Sequence, residues 1–91
     1  METVLSLLKI DLGITHNLRD TFFNALLTTC NTELARKGID LDLSAVDDQM
    51  LLSDYAAWQY RKRTEDVPLA NNLQWRIRNR IVRGRSTYGT V

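Results

Sequence analysis

The chain holds one histidine, His16, and one cysteine, Cys30. A zinc site or a Cys–His nucleophile would need them together, with further ligands or an orienting group. Cys30 instead falls mid-stripe on an amphipathic segment, where a cysteine acts as a small buried hydrophobe. His16 just precedes a helix start, a place for capping or exposure. Asp40, Asp42, Asp47 and Asp48 form an acidic cluster, and paired carboxylates can hold a cation or move a proton. They lack calcium-loop spacing, and they flank a helix N-terminus, where negative charge is stabilising in itself. The four glycines, Gly13, Gly38, Gly84 and Gly89, are dispersed, so no phosphate loop is present, and there is no Ser-His-Asp set. The expectation is a chain with no catalytic activity, no metal and no cofactor.

Binding chemistry is better represented. Leu73-Gln74-Trp75-Arg76-Ile77-Arg78-Asn79-Arg80-Ile81 carries a dense arginine array. At 100° per residue, Leu69, Leu73, Ile77 and Ile81 fill one side of a helix, and Trp75 and Val82 fall on the other. Arg76 and Arg83 border that far side on one flank, Arg78 and Arg85 on the other. A Trp between arginines is the composition of an interface hot spot. Trp75, Arg76, Arg78, Val82 and Arg83 are therefore the candidate interface residues. Arg61-Lys62-Arg63 reads as a solvated helix end that answers the macrodipole, or as a site for an acidic partner surface.

These residues must be positioned by one small domain, since 91 residues make no more. A chain this short buries only a modest fraction of its surface. A single cysteine allows no intramolecular disulfide and suits a reducing compartment. No apolar run nears the ~18 residues of a membrane span, and the N-terminus lacks the pattern of a secretory signal. A cytosolic, soluble product with no membrane role is expected. The net charge of +1 hides a split. Residues 1–57 carry four basic and nine acidic side chains, a balance of −5. Residues 58–91 carry eight basic and two acidic ones, a balance of +6. The acidic end of one copy can meet the basic end of the next, or the basic end can face phosphate.

Periodicity predicts an all-α fold, a small bundle of about four helices over residues 1–84, followed by a mobile tail over residues 85–91. The first helix spans about Glu2 to Leu12, on Val4, Leu5, Leu8 and Leu12, and stops at Gly13. Thr15, His16 and Asn17 offer caps to the second, about Leu18 to Lys37, whose stripe is Phe22, Phe23, Leu26, Leu27, Cys30 and Leu34. Gly38 stops it, and Ile39 to Leu43 connects. The third helix starts at Ser44 with Asp47 in a variant capping box. It is apolar nearly all round, from Val46 through Met50 and Tyr55 to Trp58 and Tyr60, which makes it the central helix. Pro68 is expected in the first turn of the fourth helix, and Gly84 at its end. The expected core includes Phe22, Leu26, Cys30, Met50, Trp58, Leu73, Ile77 and Ile81.

Several segments together resemble the small helical head–tail connector (adaptor) family of long-tailed bacteriophages. They are Leu8-Lys9-Ile10-Asp11 with Gly13-Ile14, the long amphipathic helix ending at Gly38, Leu51-Leu52-Ser53-Asp54-Tyr55-Ala56-Ala57-Trp58-Gln59-Tyr60-Arg61-Lys62-Arg63, and Pro68 with Leu73, Trp75, Arg76, Arg78, Asn79 and Ile81. The resemblance covers about residues 4–83. Gln59, inside an otherwise apolar segment, and the short polar tail depart from the pattern.

The resemblance implies a helical structural subunit that forms a ring under the portal of a filled capsid. The ring would join the DNA-filled head to the stopper or tail. Implied partners are copies of the chain itself, the portal protein and a stopper or tail-completion protein. DNA would pass through the ring without sequence-specific binding. The location would be the head–tail interface of the virion, after assembly in the host cytoplasm. Arginines at helical spacing also fit a small helical DNA-binding regulator, whose binding to duplex DNA would fall steeply with salt.

Overall fold

In a computed structural model, residues 2–63 and 68–89 are described, with side chains through Ile81. Four helices follow in order: α1 (Glu2–Leu12), α2 (Asp20–Arg36), α3 (Val46–Lys62) and α4 (Asn71–Gly89). No strand occurs among the described residues. The all-α fold is as the periodicity predicts, and Ile39 to Leu43 is a connector.

Two of the three expected glycine stops operate through backbone geometry. Gly13 and Gly38 have φ of 72° and 94°, a region where a side chain is strained. The turn at Gly38 lets Ile39 N–H donate to the Leu34 carbonyl at 2.9 Å and Gly38 N–H to that of Ala35 at 3.0 Å. This is a Schellman closure, and its hydrophobic partners Ile39 and Leu34 are both buried. At the end of α1, Ile14 N–H reaches the Lys9 carbonyl at 2.8 Å in the same way.

The helix starts differ from expectation. α2 begins at Asp20 with no side-chain cap; His16 Nδ1 accepts from Leu18 N–H at 3.3 Å, and Asn17 Oδ1 accepts from Lys9 Nζ at 2.8 Å. α3 begins at Val46, and the Ser44–Asp47 box does not form. Ser44 is held by Asp42 Oδ1, which accepts from its hydroxyl at 2.6 Å and from its N–H at 3.0 Å. The carboxylate that reaches back is Asp48, whose Oδ2 accepts from Asp42 N–H at 2.6 Å. With the N-cap at Ala45, Asp48 rather than Asp47 stands three residues on, and the Asx turn at Asp42 takes the serine first. α4 starts three residues after Pro68, because the Leu69 carbonyl is taken by Gln74 Nε2 at 2.8 Å and Ala70 accepts the first helical bond. At its other end α4 runs through Gly84 to Gly89. A helix-interior glycine costs only about 1 kcal/mol, so it need not stop the helix. The expected tail at residues 85–91 thus falls partly on α4 backbone. Its side chains, and Thr90 and Val91 altogether, lie outside the described residues.

Among the described residues, α3 touches each of the other three helices, and α4 touches α3 alone. The central position expected for α3 follows from Leu51, Leu52, Tyr55, Ala56 and Ala57, all buried. Around it stand Val4 and Leu8 of α1, Phe23, Leu27, Cys30 and Leu34 of α2, and Leu73 and Ile77 of α4. Phe22, Leu26, Trp58 and Ile81 are half-buried and pack against this core rather than inside it. Met50 is a correction: it is 42% exposed, and Val46 one turn earlier is 68% exposed. Three neighbouring helices cannot enclose the whole circumference of α3, and the Val46–Met50 strip is left uncovered. Trp58 is half-buried like Phe22, Leu26 and Ile81. It lies on a flank, 5.6 Å from the Tyr55 ring on one side and with Lys62 Nζ 4.9 Å from its own ring.

Candidate protein interface

α4 is amphipathic in the simplest sense. Leu73 and Ile77 bury against α3, and two arginines one turn apart flank them. Arg76 Nη1 meets Asp54 Oδ2 at 2.5 Å, and Arg80 pairs with Asp48. Asp48 is a buried carboxylate, so its pairing with Arg80 satisfies a charge that would otherwise be expensive to desolvate. Together the two pairs set the register of α4 along α3.

The far face carries Trp75, 63% exposed, with exposed Asn71, Gln74 and Arg78 lining the same shallow hollow. Trp75 and Arg78 thus stand where the helical periodicity places them, pointing away from the core. Arg76 does not join them: it faces α3 and is engaged by Asp54. The side chains of Val82 and Arg83 lie outside the described residues. Among the described residues, Arg78 has no ion-pair partner.

Much of the opposite charge of the two halves is used inside the chain. Arg61 Nη2 lies 3.2 Å from Asp11 Oδ2, joining the end of α3 to that of α1. Within the acidic half itself, Lys9 Nζ lies 2.9 Å from Asp20 Oδ1, a charge contact without hydrogen-bond alignment. The exposed run Arg61-Lys62-Arg63 is not simply solvated, for Arg63 stacks over Phe22 at 4.8 Å while Lys62 covers Trp58. Arg19 sits 4.8 Å from the Phe22 ring and donates to Tyr60 Oη at 3.2 Å. Such contacts favour the cation over the aromatic face.

The remaining polar groups are structural in their surroundings. Gln59, the departure from the apolar run, donates from Nε2 to Glu33 Oε2 at 3.1 Å and to Tyr55 Oη at 3.3 Å. Tyr55 Oη in turn donates to Glu33 Oε2 at 3.1 Å. Burial, aided by Glu33, pushes the Tyr55 phenol up, although Gln59 works against it. Burial first, and the nearby Glu33 charge second, push the Cys30 thiol up to about 12. The hydroxyl of Ser44, then its N–H, hold the Asp42 carboxyl below its usual range. Among the described residues no three His, Cys, Asp or Glu side chains gather as a metal site would require. No described helix is long and apolar enough to cross a membrane.

Sequence reasoning missed Arg80, because a helical wheel cannot say that Asp48 lies across from it. It missed Val46, Asp47 and Met50 as surface, because an all-round apolar helix gives no sign of which strip stays bare. The signal available was Asp47 itself, a charge set between two apolar residues that share a face. Comparison with protein-family models, with curated proteins and with solved structures gave no match.

Proposed function

We propose that this chain is a structural assembly subunit, a head–tail connector that forms a ring beneath a phage portal and joins the DNA-filled head to the stopper or tail. One observation carries the assembly part: among the described residues α4 is attached to α3 alone and turns Trp75 and Arg78 outward. A tryptophan left 63% exposed beside an arginine with no partner among the described residues is the composition that concentrates binding energy at protein interfaces. The setting comes from the resemblance carried by the Asp54–Arg63 segment and the Trp75-bearing helix. In this role the protein performs no chemistry. Its helices are a rigid wall unit, and its function is geometric: to continue the channel and offer a platform.

The test is complementation in a phage lacking the gene. Trp75→Ala with Arg78→Glu changes two exposed side chains and is expected to leave the subunit folded. Heads should package DNA and then leak it or fail to take tails. Normal infectious yield from this variant would overturn the assignment of the α4 face. Loss of salt-sensitive duplex DNA binding alone would replace the connector with the regulator.

A further inference from the structure

Five large hydrophobic side chains are exposed among the described residues: Ile10, Leu18, Val46, Met50 and Trp75. What distinguishes them is the state of the charge beside each. Asp11 beside Ile10 is engaged by Arg61. Arg19 beside Leu18 is engaged by Phe22, Phe23 and Tyr60. Arg78, one turn from Trp75, has no charge partner among the described residues. Neither has Asp47, which follows Val46 and lies one turn before Met50.

The acidic side chains narrow in the same way. Asp20 and Glu33, both in the acidic N-terminal half, are occupied: Asp20 by Lys9, and Glu33 by Tyr55 and Gln59. Asp48 and Asp54 hold α4 itself, and Asp42 holds Ser44. Among the described residues, Glu2, Asp40 and Asp47 are left. Near Glu2 and Asp40, Val4 and Ile39 are buried and Leu5 and Leu41 half-buried, so neither acid has a large exposed hydrophobic of the described residues beside it. Among the described residues, Asp47 alone combines an unengaged carboxylate with large exposed hydrophobics on both sides, Val46 and Met50.

We infer that the outer face of α4 docks on the Val46–Asp47–Met50 face of a second copy of this chain, with Trp75 seated on Val46 and Met50 and Arg78 paired with Asp47. The inference rests on the α4 face being an assembly surface, as proposed above, and adds what receives it. Each surface is apolar at its centre with one charge at its edge, and the two charges are opposite. A methionine and a β-branched aliphatic suit a flat aromatic ring, since the thioether adapts to the ring edge. Because the two surfaces belong to different helices, the contact joins unlike patches and repeats head to tail. That is the interface type that closes a ring.

Sedimentation of the full chain, with and without charge reversals, tests this. Arg78→Glu and Asp47→Arg should each weaken self-association by about tenfold, since reversal turns attraction into repulsion. The variant carrying both reversals should recover to within about threefold of the original chain. Both residues are exposed and outside the intramolecular pairs, so circular dichroism should be unchanged throughout. Weakening by Arg78→Glu without weakening by Asp47→Arg overturns the pairing and leaves the assembly role of α4 standing. No effect of either reversal overturns both. An unaltered chain that stays monomeric to its solubility limit overturns the pairing.

Discussion

The Cys30 thiol is held near 12, against an ordinary 9.0, because it lies among Phe23, Leu27 and Leu34 with almost no water contact. A thiol whose folded-state value is raised adds stability that is whole below its unfolded value. That stability is lost as pH rises from about 9 towards 12. Urea midpoints across that window should fall more steeply for the native chain than for Cys30→Val, which lacks the titration. Equal slopes would contradict the burial. Phe23 tests the same core without charge. It is fully buried, and Phe23→Ala should lower unfolding free energy by about 3–5 kcal/mol in urea denaturation. Trp58→Ala should cost less, because its ring lies on a flank of α3. At this scale the sequence was partly legible. Cys30, Leu73 and Ile77 are where their stripes put them and Trp58 packs half-buried against the core, whereas Met50 is exposed. A stripe says which residues share a face, but not how far the neighbouring helix reaches around it.

At the scale of elements, the glycine stops after α1 and α2 were readable because a positive φ is a local demand that local sequence must answer. The starts of α3 and α4 were not, because capping there depends on competition between several polar groups: Asp42, Ser44 and Asp48 for one, Gln74 and Leu69 for the other. The docking of α4 is the most consequential feature hidden from the sequence. It depends on a hydrophobic strip that is continuous in sequence and on two ion pairs that are not. Removing Arg80 strands the buried Asp48 carboxylate, and Arg80→Ala is expected to cost about 1–3 kcal/mol, less than a fully buried pair because Arg80 keeps some water contact. Arg78→Ala, one turn aside with no charge partner among the described residues, should lie within about 0.5 kcal/mol of the parent. Chemical denaturation of the two variants gives the comparison. Equal losses would mean that the Arg80–Asp48 pair does not hold α4.

At the scale of the molecule, the contrast between a −5 half and a +6 half suggested charges available for assembly. Within the chain, Asp11, Asp48 and Asp54 answer Arg61, Arg80 and Arg76, so the contrast first serves to fold α3 and α4 onto the rest. Among the described residues, what the proposal leaves for partners is smaller and more specific: Trp75 with Arg78 on one surface, and Val46, Asp47 and Met50 on another. The proposed ring needs no more than two unlike faces, and it uses the polarity only where it is not already satisfied. The most direct measurement is an electron cryomicroscopy reconstruction of the portal vertex in DNA-filled heads, completed by the unaltered chain in a phage lacking its own copy of the gene. The connector proposal predicts a ring of four-helix subunits below the portal, with α4 of each against its neighbour. Full DNA-retaining heads with no such density, or normal heads in the absence of the gene, would contradict it.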